Sequence, residues 1–116
     1  MGGVSFIFHD ETKVNRLIEE AKVGADVIGV GDDTGLADAR MALGEDFCLS
    51  GNVDPVRVLL QGSPEEVTRT VKKCIQDAGK NGGFILNTGE CVCRDTPPKN
   101  LETFVQTARE SNPLEQ

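Results

Sequence analysis

Four short apolar segments alternate with four amphipathic segments along this chain, and this alternation restricts the possible folds more than any other feature. The apolar segments are rich in β-favouring residues and span positions 4–8, 25–30, 47–50 and 83–86. No two-residue hairpin turn joins any two of them, so each is followed by a helix that crosses to the next strand. The pattern predicts an α/β fold of four consecutive parallel βα units.

The segments between the strands carry apolar residues at spacings of three and four, as on one face of a helix. These stripes are Val14, Leu17, Ile18 and Ala21; Leu36, Ala39 and Leu43; Val67, Val71, Cys74, Ile75 and Ala78; and Leu101, Phe104, Val105 and Ala108. Asp54 before Pro55, and Ser63 with Glu66 three residues later, predict two helix N-termini. Gly24, Gly44 and Gly79 stand where the preceding helices should end.

The size and charge of the chain exclude several classes of protein. With 116 residues it can form one compact domain, whereas a complete (β/α)₈ barrel needs about 250 residues. The net charge of −7 argues against binding to a nucleic-acid backbone. No apolar run is long enough to span a membrane, and residues 1–4 lack the features of a signal peptide. The four cysteines have no disulfide spacing, so we expect a reduced, cytoplasmic location: Cys48, Cys74, Cys91 and Cys93.

Polar residues follow each predicted strand, at positions 9–11, 31–33, 51–54 and 87–93. Ligands of parallel α/β proteins bind beyond the C-terminal ends of the strands, because the loops converge there. We therefore predict a substrate pocket that includes Asp32, Asn52, Asp54, Asn87 and Gly89. Two alternatives stay open: residues 32–34 and 54 can serve as helix caps, and the glycines at 31, 51 and 89 can serve tight strand exits.

The single histidine, His9, is a candidate metal ligand because acidic residues and thiols occupy neighbouring strand ends. A mixed zinc site could combine nitrogen, oxygen and sulfur donors. The predicted ligands are His9, Glu11, Glu90 and Cys91. A polar residue on the rim is the alternative for His9, and Cys91-Val92-Cys93 is a weak metal motif by itself.

Several segments together resemble the uroporphyrinogen decarboxylase superfamily. They are Gly-Asn-Val-Asp-Pro at 51–55, Leu-Leu-Gln-Gly-Ser-Pro-Glu-Glu-Val at 59–67, Gly-Phe-Ile-Leu-Asn-Thr-Gly at 83–89 and Asp-Thr-Pro-Pro-Lys-Asn-Leu at 95–101. Residues 24–30 and 37–40 fit the same stretch, and the resemblance extends over residues 4–109. It implies a (β/α)₈ barrel, with residues 1–110 as its C-terminal half and 111–116 as a tail.

The superfamily includes the haem-pathway decarboxylase and corrinoid-dependent methyltransferases that act on coenzyme M or tetrahydrofolate. The resemblance implies Asn-Leu-Gly-His-Gly after the last strand of the decarboxylase, but Glu90 stands in the place of that histidine here. It implies zinc held by His-x-Cys and a further Cys in the methyltransferases, but no Cys follows His9 at that spacing. No catalytic residue can therefore be assigned from the resemblance.

Three hypotheses follow. The first is a fragment of a corrinoid-dependent methyltransferase-like enzyme, with zinc as a cofactor and a small molecule or a corrinoid protein as partner. The second is a decarboxylase of tetrapyrrole biosynthesis. The third is a non-catalytic half-barrel that associates with itself as a homodimer, because a half-barrel leaves sheet edges and an apolar face uncovered.

Overall fold

The computed structural model describes residues 2–8 and 13–111. The strands are Phe6–Ile7 (β1), Val27–Gly29 (β2), Cys48–Val53 (β3) and Phe84–Thr88 (β4). The helices are Val14–Ala21 (α1), Leu36–Leu43 (α2), Pro64–Ala78 (α3) and Pro98–Glu110 (α4), and a π-helical segment, Pro55–Leu60, lies between β3 and α3. The predicted ligands His9 and Glu11 lie outside the described residues, as do residues 112–116 of the predicted tail.

The four strands form one parallel sheet in the order β1-β2-β3-β4. Because this order follows the chain, right-handed crossovers place the helices on the same side of the sheet. Ile28 pairs with Leu49, which in turn pairs with Phe84. The prediction of an α/β fold with parallel βα repeats is thus confirmed.

The hydrophobic core lies between the sheet and its helices, and the predicted helix stripes supply much of it. Its fully buried members include Leu17 of α1, Ile28 of β2, Leu49 of β3 and Val71 of α3. On the opposite face of the sheet, which we call the inner face, Phe6 and Ile85 are half-exposed. Within residues 2–8 and 13–111, helices therefore cover one face of the sheet and leave the other open.

All four strands differ in their bounds from the predicted extents, and β3 and β1 show two causes. β3 continues to Val53, three residues beyond the predicted strand, because Gly51, Asn52 and Val53 pair with residues 86–88 of β4. β1 comprises only Phe6 and Ile7, although residues 4–8 all favour a strand. β1 lies at the edge of the sheet and has a single neighbouring strand in the order, so one side supports it.

The predicted capping residues stand at the ends of the helical segments. The Ser63 hydroxyl accepts a hydrogen bond from the Glu66 N–H at 3.2 Å. One Asp54 carboxylate oxygen accepts from the backbone N–H groups of Val56 and Arg57, both at 2.9 Å. Gly44 directly follows α2 and Gly24 lies three residues after α1, and their positive φ values, 80° and 85°, are ones that glycine adopts without steric cost.

The turn after Asp54 is a π-helix rather than an α-helix, and α4 holds it in place. The buried Asn100 side chain donates from its amide nitrogen to the carbonyls of Leu59 and Gly62, at 2.8 and 2.9 Å. A C=O group left without a partner in such a position would destabilise the fold. Asn100 thus joins the last helix to the segment that follows β3.

Arg40 of α2 forms a buried clamp at the N-terminal ends of the strands, a role that the sequence pattern does not predict. Its guanidinium donates to the carbonyls of Gly44, Phe47, Ala78 and Gly83, at 3.2, 2.7, 2.8 and 2.8 Å respectively. These acceptors end α2 and α3 and precede β3 and β4. One cation therefore binds two βα units together at the edge of the sheet away from the predicted site.

No helix among the described residues is long and apolar enough to cross a membrane.

Candidate functional site

The loops that follow β2, β3 and β4 meet at Gly89. Its N–H donates to the carbonyl of Val53 at 2.8 Å, which ties the exit of β4 to the end of β3. A Cβ atom at Gly89 would lie 2.5 Å from the backbone nitrogen of Asp32, in the loop after β2. Only a residue without a side chain fits between these backbones, so Gly89 serves a close approach between neighbouring loops.

A cleft of about 390 Å³ opens on the inner face of the sheet beside this junction. One wall is aromatic: Phe8 packs over Gly29, where a Cβ atom would lie 2.6 Å from the Phe8 Cδ2 atom. Among the described residues, those that line the cleft are Phe6, Phe8, Gly29, Ser50, Asn87, Thr88, Glu90 and Cys91. The cleft thus combines apolar ring surface with hydroxyl, amide, carboxylate and thiol groups, as small-molecule sites commonly do.

A second depression of about 250 Å³ lies on the helix side of the same strand ends. Asp32, Asn52 and Asp54 line it, together with Lys73 and Cys74 of α3. The predicted pocket residues are therefore divided between two places. Asn87 lines the inner cleft, whereas Asp32, Asn52 and Asp54 lie around the helix-side depression. Gly89 lies where the loop after β4 meets the loop after β2.

The Asn52 side chain is turned toward the helices and holds the loop that follows β2. The peptide bond between Gly51 and Asn52 is cis. The Asn52 amide nitrogen donates to the carbonyl of Gly31 at 2.9 Å and to that of Thr34, and its amide oxygen lies 3.7 Å from the Cys74 sulfur. Asn52 therefore holds the loop that follows β2 in place, and its predicted contact with substrate stays a prediction.

Helix capping, the alternative role given for residues 32–34 and 54, has different outcomes at the two positions. Asp54 is a helix cap, as its two hydrogen bonds to backbone N–H groups show. Residues 32–34 are not at the cap position of α2, because Gly35 is its N-cap and Leu36 its first residue. Capping consequently explains Asp54 but does not explain Asp32.

Negative charges are concentrated around Asp32. Partial burial raises the pKa of the Asp32 carboxyl, and the nearby Asp54, Asp33 and Glu90 carboxylates raise it further. Each of these neighbours disfavours the ionised form of Asp32 by Coulomb repulsion. Perturbed carboxyl groups of this kind, at the edge of a cleft, are typical of binding and catalytic sites.

Two of the four predicted zinc ligands, Glu90 and Cys91, lie together on the lining of the inner cleft. The Cys91 N–H donates to a Glu90 carboxylate oxygen at 3.0 Å. Within residues 2–8 and 13–111, no group of three His, Cys, Asp or Glu side chains is arranged to hold a metal ion. The fit of zinc therefore depends on His9 and Glu11, and the predicted zinc site stays a prediction.

Two comparisons of the sequence and one of the structure give consistent results. The model of the family described as Uroporphyrinogen decarboxylase matches residues 1–111. The uroporphyrinogen decarboxylase of Trichodesmium erythraeum is 36% identical over 109 residues, which cover 94% of this chain and 30% of that protein. The corresponding enzyme of Nostoc punctiforme is 38% identical over 92 residues, which cover 79% of this chain and 25% of that protein.

Among solved structures, a methyltransferase from Methanosarcina mazei superposes with a TM-score of 0.81 at 19% sequence identity. The superposition covers 92% of this chain and 31% of the methyltransferase. At this identity the similarity establishes the fold alone: the four βα units form part of a barrel of this kind. The chain spans less than a third of the length of the relatives that it matches.

Proposed function

The chain belongs to the uroporphyrinogen decarboxylase family, and we propose that it forms part of the substrate pocket of a methyltransferase-like member. In the proposed reaction a methyl group would pass from a corrinoid donor to the sulfur of a thiol, or to tetrahydrofolate; the bond of the methyl group to cobalt breaks with its electron pair left on the donor, and the acceptor loses its proton. The chain would supply four of the strand ends that surround the reacting groups. The expectation that these are the last four of the barrel comes from the sequence resemblance.

The observation that carries the proposal is the chemical character of the inner cleft. A decarboxylase must bind a substrate carboxylate, which requires cations or several hydrogen-bond donors when water is excluded. No Lys or Arg is among the described residues that line the cleft, and Glu90 contributes a carboxylate instead. Phe6 and Phe8 offer apolar ring surface. Such a lining suits the uncharged reacting end of a methyl acceptor, such as its thiol, better than the carboxylates of a porphyrinogen.

The side chains of this cleft can orient an acceptor and hold a proton. Asn87 and Ser50 lie on adjacent strands, 3.4 Å apart between the amide nitrogen and the hydroxyl oxygen, and both can bond to a polar acceptor group. Glu90 and Cys91 follow on the same loop. A carboxylate within reach of a substrate thiol can take up its proton, which increases the fraction of the nucleophilic thiolate.

The second candidate function is decarboxylation of uroporphyrinogen or a related acid. The names of the relatives favour it, since the matching proteins from Trichodesmium erythraeum and Nostoc punctiforme are uroporphyrinogen decarboxylases. In that case the cationic groups that bind the substrate carboxylates would come from parts of the enzyme outside this chain. Glu90 would then face a substrate of the same charge.

One pair of assays separates the two candidates. The natural protein that contains this chain, at its full length, is incubated with methylcobalamin and a thiol such as coenzyme M, and demethylation of the cobalamin is followed by absorbance. A parallel incubation with uroporphyrinogen measures released CO₂. We expect demethylation and no CO₂; release of CO₂ without demethylation would assign the decarboxylase function instead.

Variants at the cleft test whether the proposed residues take part. Glu90→Gln should lower the rate of methyl transfer at least tenfold, because the amide cannot accept a proton. Glu45→Gln is the matched control, since Glu45 is exposed in the loop before β3, at the opposite edge of the sheet. Equal rates in the two variants would remove Glu90 from the proposal. The zinc content of His9→Ala, measured alongside, tests the predicted metal site separately from activity.

A further inference from the structure

We propose that Asn81, in the loop between α3 and β4, is a site of spontaneous covalent modification in the folded protein. Its side-chain amide is converted to a carboxylate through a cyclic intermediate that includes the backbone nitrogen of Gly82, and the main product is isoaspartate. The modification weakens the contacts of the Arg40 clamp. The inference concerns the chemistry of this loop and does not depend on which reaction the protein catalyses.

The first observation is the pair of residues itself. Asn81-Gly82 is the only Asn-Gly pair in the sequence. A backbone nitrogen can attack the side-chain carbonyl carbon of the asparagine that precedes it, because the five-membered ring that forms has little strain. A side chain on the attacking residue obstructs this approach, and glycine has none. The residues that follow the other described asparagines are larger: Arg16, Val53, Thr88 and Leu101.

The reaction balances with water as its only co-reactant. The Gly82 nitrogen loses its proton to the solvent and bonds to the Asn81 Cγ atom, and the bond from Cγ to the side-chain nitrogen breaks, which releases ammonia. Water then opens the cyclic imide. Attack at Cγ gives aspartate, whereas attack at the main-chain carbonyl carbon gives isoaspartate. The second carbon lies beside the electron-withdrawing backbone nitrogen and is the more electrophilic, so isoaspartate should predominate.

The structure leaves the reacting groups of Asn81 accessible. Asn81 is exposed, and no described residue forms a hydrogen bond with its side-chain amide. The Gly82 N–H donates to the carbonyl of Gly79 at 3.1 Å, near the long end of the usual range. Opening this bond frees the attacking nitrogen. Gly82 and the following Gly83 have φ values of 81° and 66°, so glycines allow the backbone here to rearrange.

Two other asparagines show what protection looks like in this fold. The Asn52 amide donates to the carbonyls of Gly31 and Thr34, and the Asn100 amide donates to those of Leu59 and Gly62. These bonds hold each amide group in one direction, away from the backbone nitrogen that follows it. Asn81 lacks such bonds to described residues and also precedes a glycine.

The carbonyl of Gly83 connects this loop to the clamp. It accepts from the Arg40 Nη2 atom at 2.8 Å and from the Leu49 N–H at 2.9 Å. Isoaspartate carries the main chain through Cβ and Cγ, so the backbone between Asn81 and Gly82 gains one carbon atom. The loop consists of residues 79–83 alone, between the end of α3 and the start of β4. The added atom should therefore displace the Gly83 carbonyl from its two donors.

Mass spectrometry tests the modification on the natural protein that contains this chain, at its full length. The folded protein is kept in mildly alkaline buffer prepared in heavy-oxygen water and is digested at intervals. The peptide with Asn81 should exchange its amide for a carboxylate that carries one heavy oxygen. We expect this conversion to be at least tenfold faster than at Asn52 or Asn100. Fragmentation that distinguishes isoaspartate from aspartate should find isoaspartate at residue 81.

A sample unfolded in guanidinium chloride and the variant Asn81→Gln serve as references. The longer glutamine side chain would require a six-membered ring, so this variant should show no conversion at residue 81. In the folded protein Asn81 should react within tenfold of its rate in the unfolded sample. Conversion in the unfolded sample alone would overturn the proposal, because the folded turn would then protect Asn81. Equal rates at Asn81 and Asn100 in the folded protein would also overturn it.

Amide exchange tests the effect on the clamp. After conversion the Leu49 amide should exchange at least tenfold faster, because its acceptor has moved. The Val30 amide donates to the carbonyl of Ser50 at 2.7 Å, and its exchange should stay unchanged if the effect is local. Asn81→Gln protein kept for the same time should show neither change. Conversion with no change at Leu49 would overturn the proposed link between the loop and the clamp.

Discussion

The N-terminal and the C-terminal ends of the strands, which we call the N-terminal and C-terminal edges of the sheet, differ in their electrostatics. At the N-terminal edge two charged groups have hydrogen-bond partners: Arg40 donates to four backbone carbonyls, and Asp26 accepts from the N–H and hydroxyl of Ser5 at 2.8 and 3.1 Å. At the C-terminal edge the carboxyl of Asp32 lies among like charges. The first arrangement stabilises the fold, whereas the second disfavours the ionised form of Asp32 at the edge where a ligand is expected.

The pKa values of the two aspartates express this difference. Hydrogen bonds from the Ser5 backbone N–H, and then from its hydroxyl, lower the pKa of Asp26. Burial and neighbouring carboxylates raise the pKa of Asp32. In α/β barrels the corresponding division assigns stability to the N-terminal face and chemistry to the C-terminal face. Variants at the two edges should therefore differ both in the size and in the sign of their effects.

The largest effect on stability is expected from Arg40→Met. The substitution preserves much of the apolar stem but leaves four carbonyl acceptors without the guanidinium, which should cost roughly 3–5 kcal/mol of unfolding free energy. Arg57→Met is the control, because Arg57 is exposed, and it should cost less than about 0.5 kcal/mol. Urea unfolding measures both. A similar cost for the two variants would mean that the clamp does not stabilise the N-terminal edge.

Gly89→Ala should have the next largest effect and should act at the other edge. The new methyl group would lie 2.5 Å from the Asp32 backbone nitrogen, so the loops must separate, at a cost of about 1–3 kcal/mol. Gly3→Ala introduces the same group where no atom lies within 4 Å and should change little. We expect ligand binding to fall in Gly89→Ala only. Unchanged stability and binding would show that the loops do not meet as described.

The two asparagines on β3 and β4, Asn52 and Asn87, are expected to differ in role: the first holds a loop in place and the second contacts the ligand. Asn52→Ala should lower stability by about 1–2 kcal/mol, since the carbonyls of Gly31 and Thr34 lose the hydrogen bonds from the Asn52 amide. Asn87→Ala, on the exposed inner face, should lower it by less than about 0.5 kcal/mol while weakening ligand binding. Thermal unfolding and binding assays of both variants give the comparison. The reverse outcome would exchange the roles assigned to them.

The smallest effects are opposite slopes of stability with pH. Because the pKa of Asp32 is raised in the folded state, its contribution to the unfolding free energy is fully present below the ordinary value of 3.8. This contribution is lost as the pH rises through the folded-state pKa. Because the pKa of Asp26 is lowered in the folded state, its contribution to the unfolding free energy is present above 3.8 and is lost as the pH falls through its folded-state pKa. Asp32→Asn should therefore stabilise, and Asp26→Asn destabilise, at neutral pH.

Both differences should disappear in acid, where the carboxyl groups are protonated in the folded and unfolded states alike. Solvent screens both groups, so each effect should be small. Unfolding free energies from about pH 3 to about pH 7 give the two slopes. Slopes of the same sign would remove the electrostatic contrast between the edges.

Local features of the fold could be predicted from the sequence because neighbouring residues determine them. The strand and helix alternation, the Ser63 cap and the glycine at position 44 all depend on interactions within a few residues. The length of β3 could not be predicted, since its last three residues are held by pairing with β4. Gly89 was predicted as part of the site, but its reason is the neighbouring loop rather than a tight strand exit.

The side chains with long-range partners escaped prediction. Arg40 looks like any surface arginine in the sequence, because its acceptors come from four separate positions. The contact of Asn52 with substrate stays a prediction, but the hydrogen bonds from its amide to the loop after β2 were not predicted. Whether a side chain is buried, and which way it points, depends on how whole helices and strands pack together, and the spacing of residues in the sequence does not encode this.

The clamp formed by Arg40 also bears on how the protein is synthesised. Two of its acceptors, the carbonyls of Ala78 and Gly83, come 38 and 43 residues later in the chain. On the ribosome, α2 is therefore made well before these partners, at a time when the guanidinium can bond only to water and to nearby carbonyls. The N-terminal edge can reach its final form only after α3 and the start of β4 have emerged, so nascent chains that end before Gly83 should depend most on chaperones.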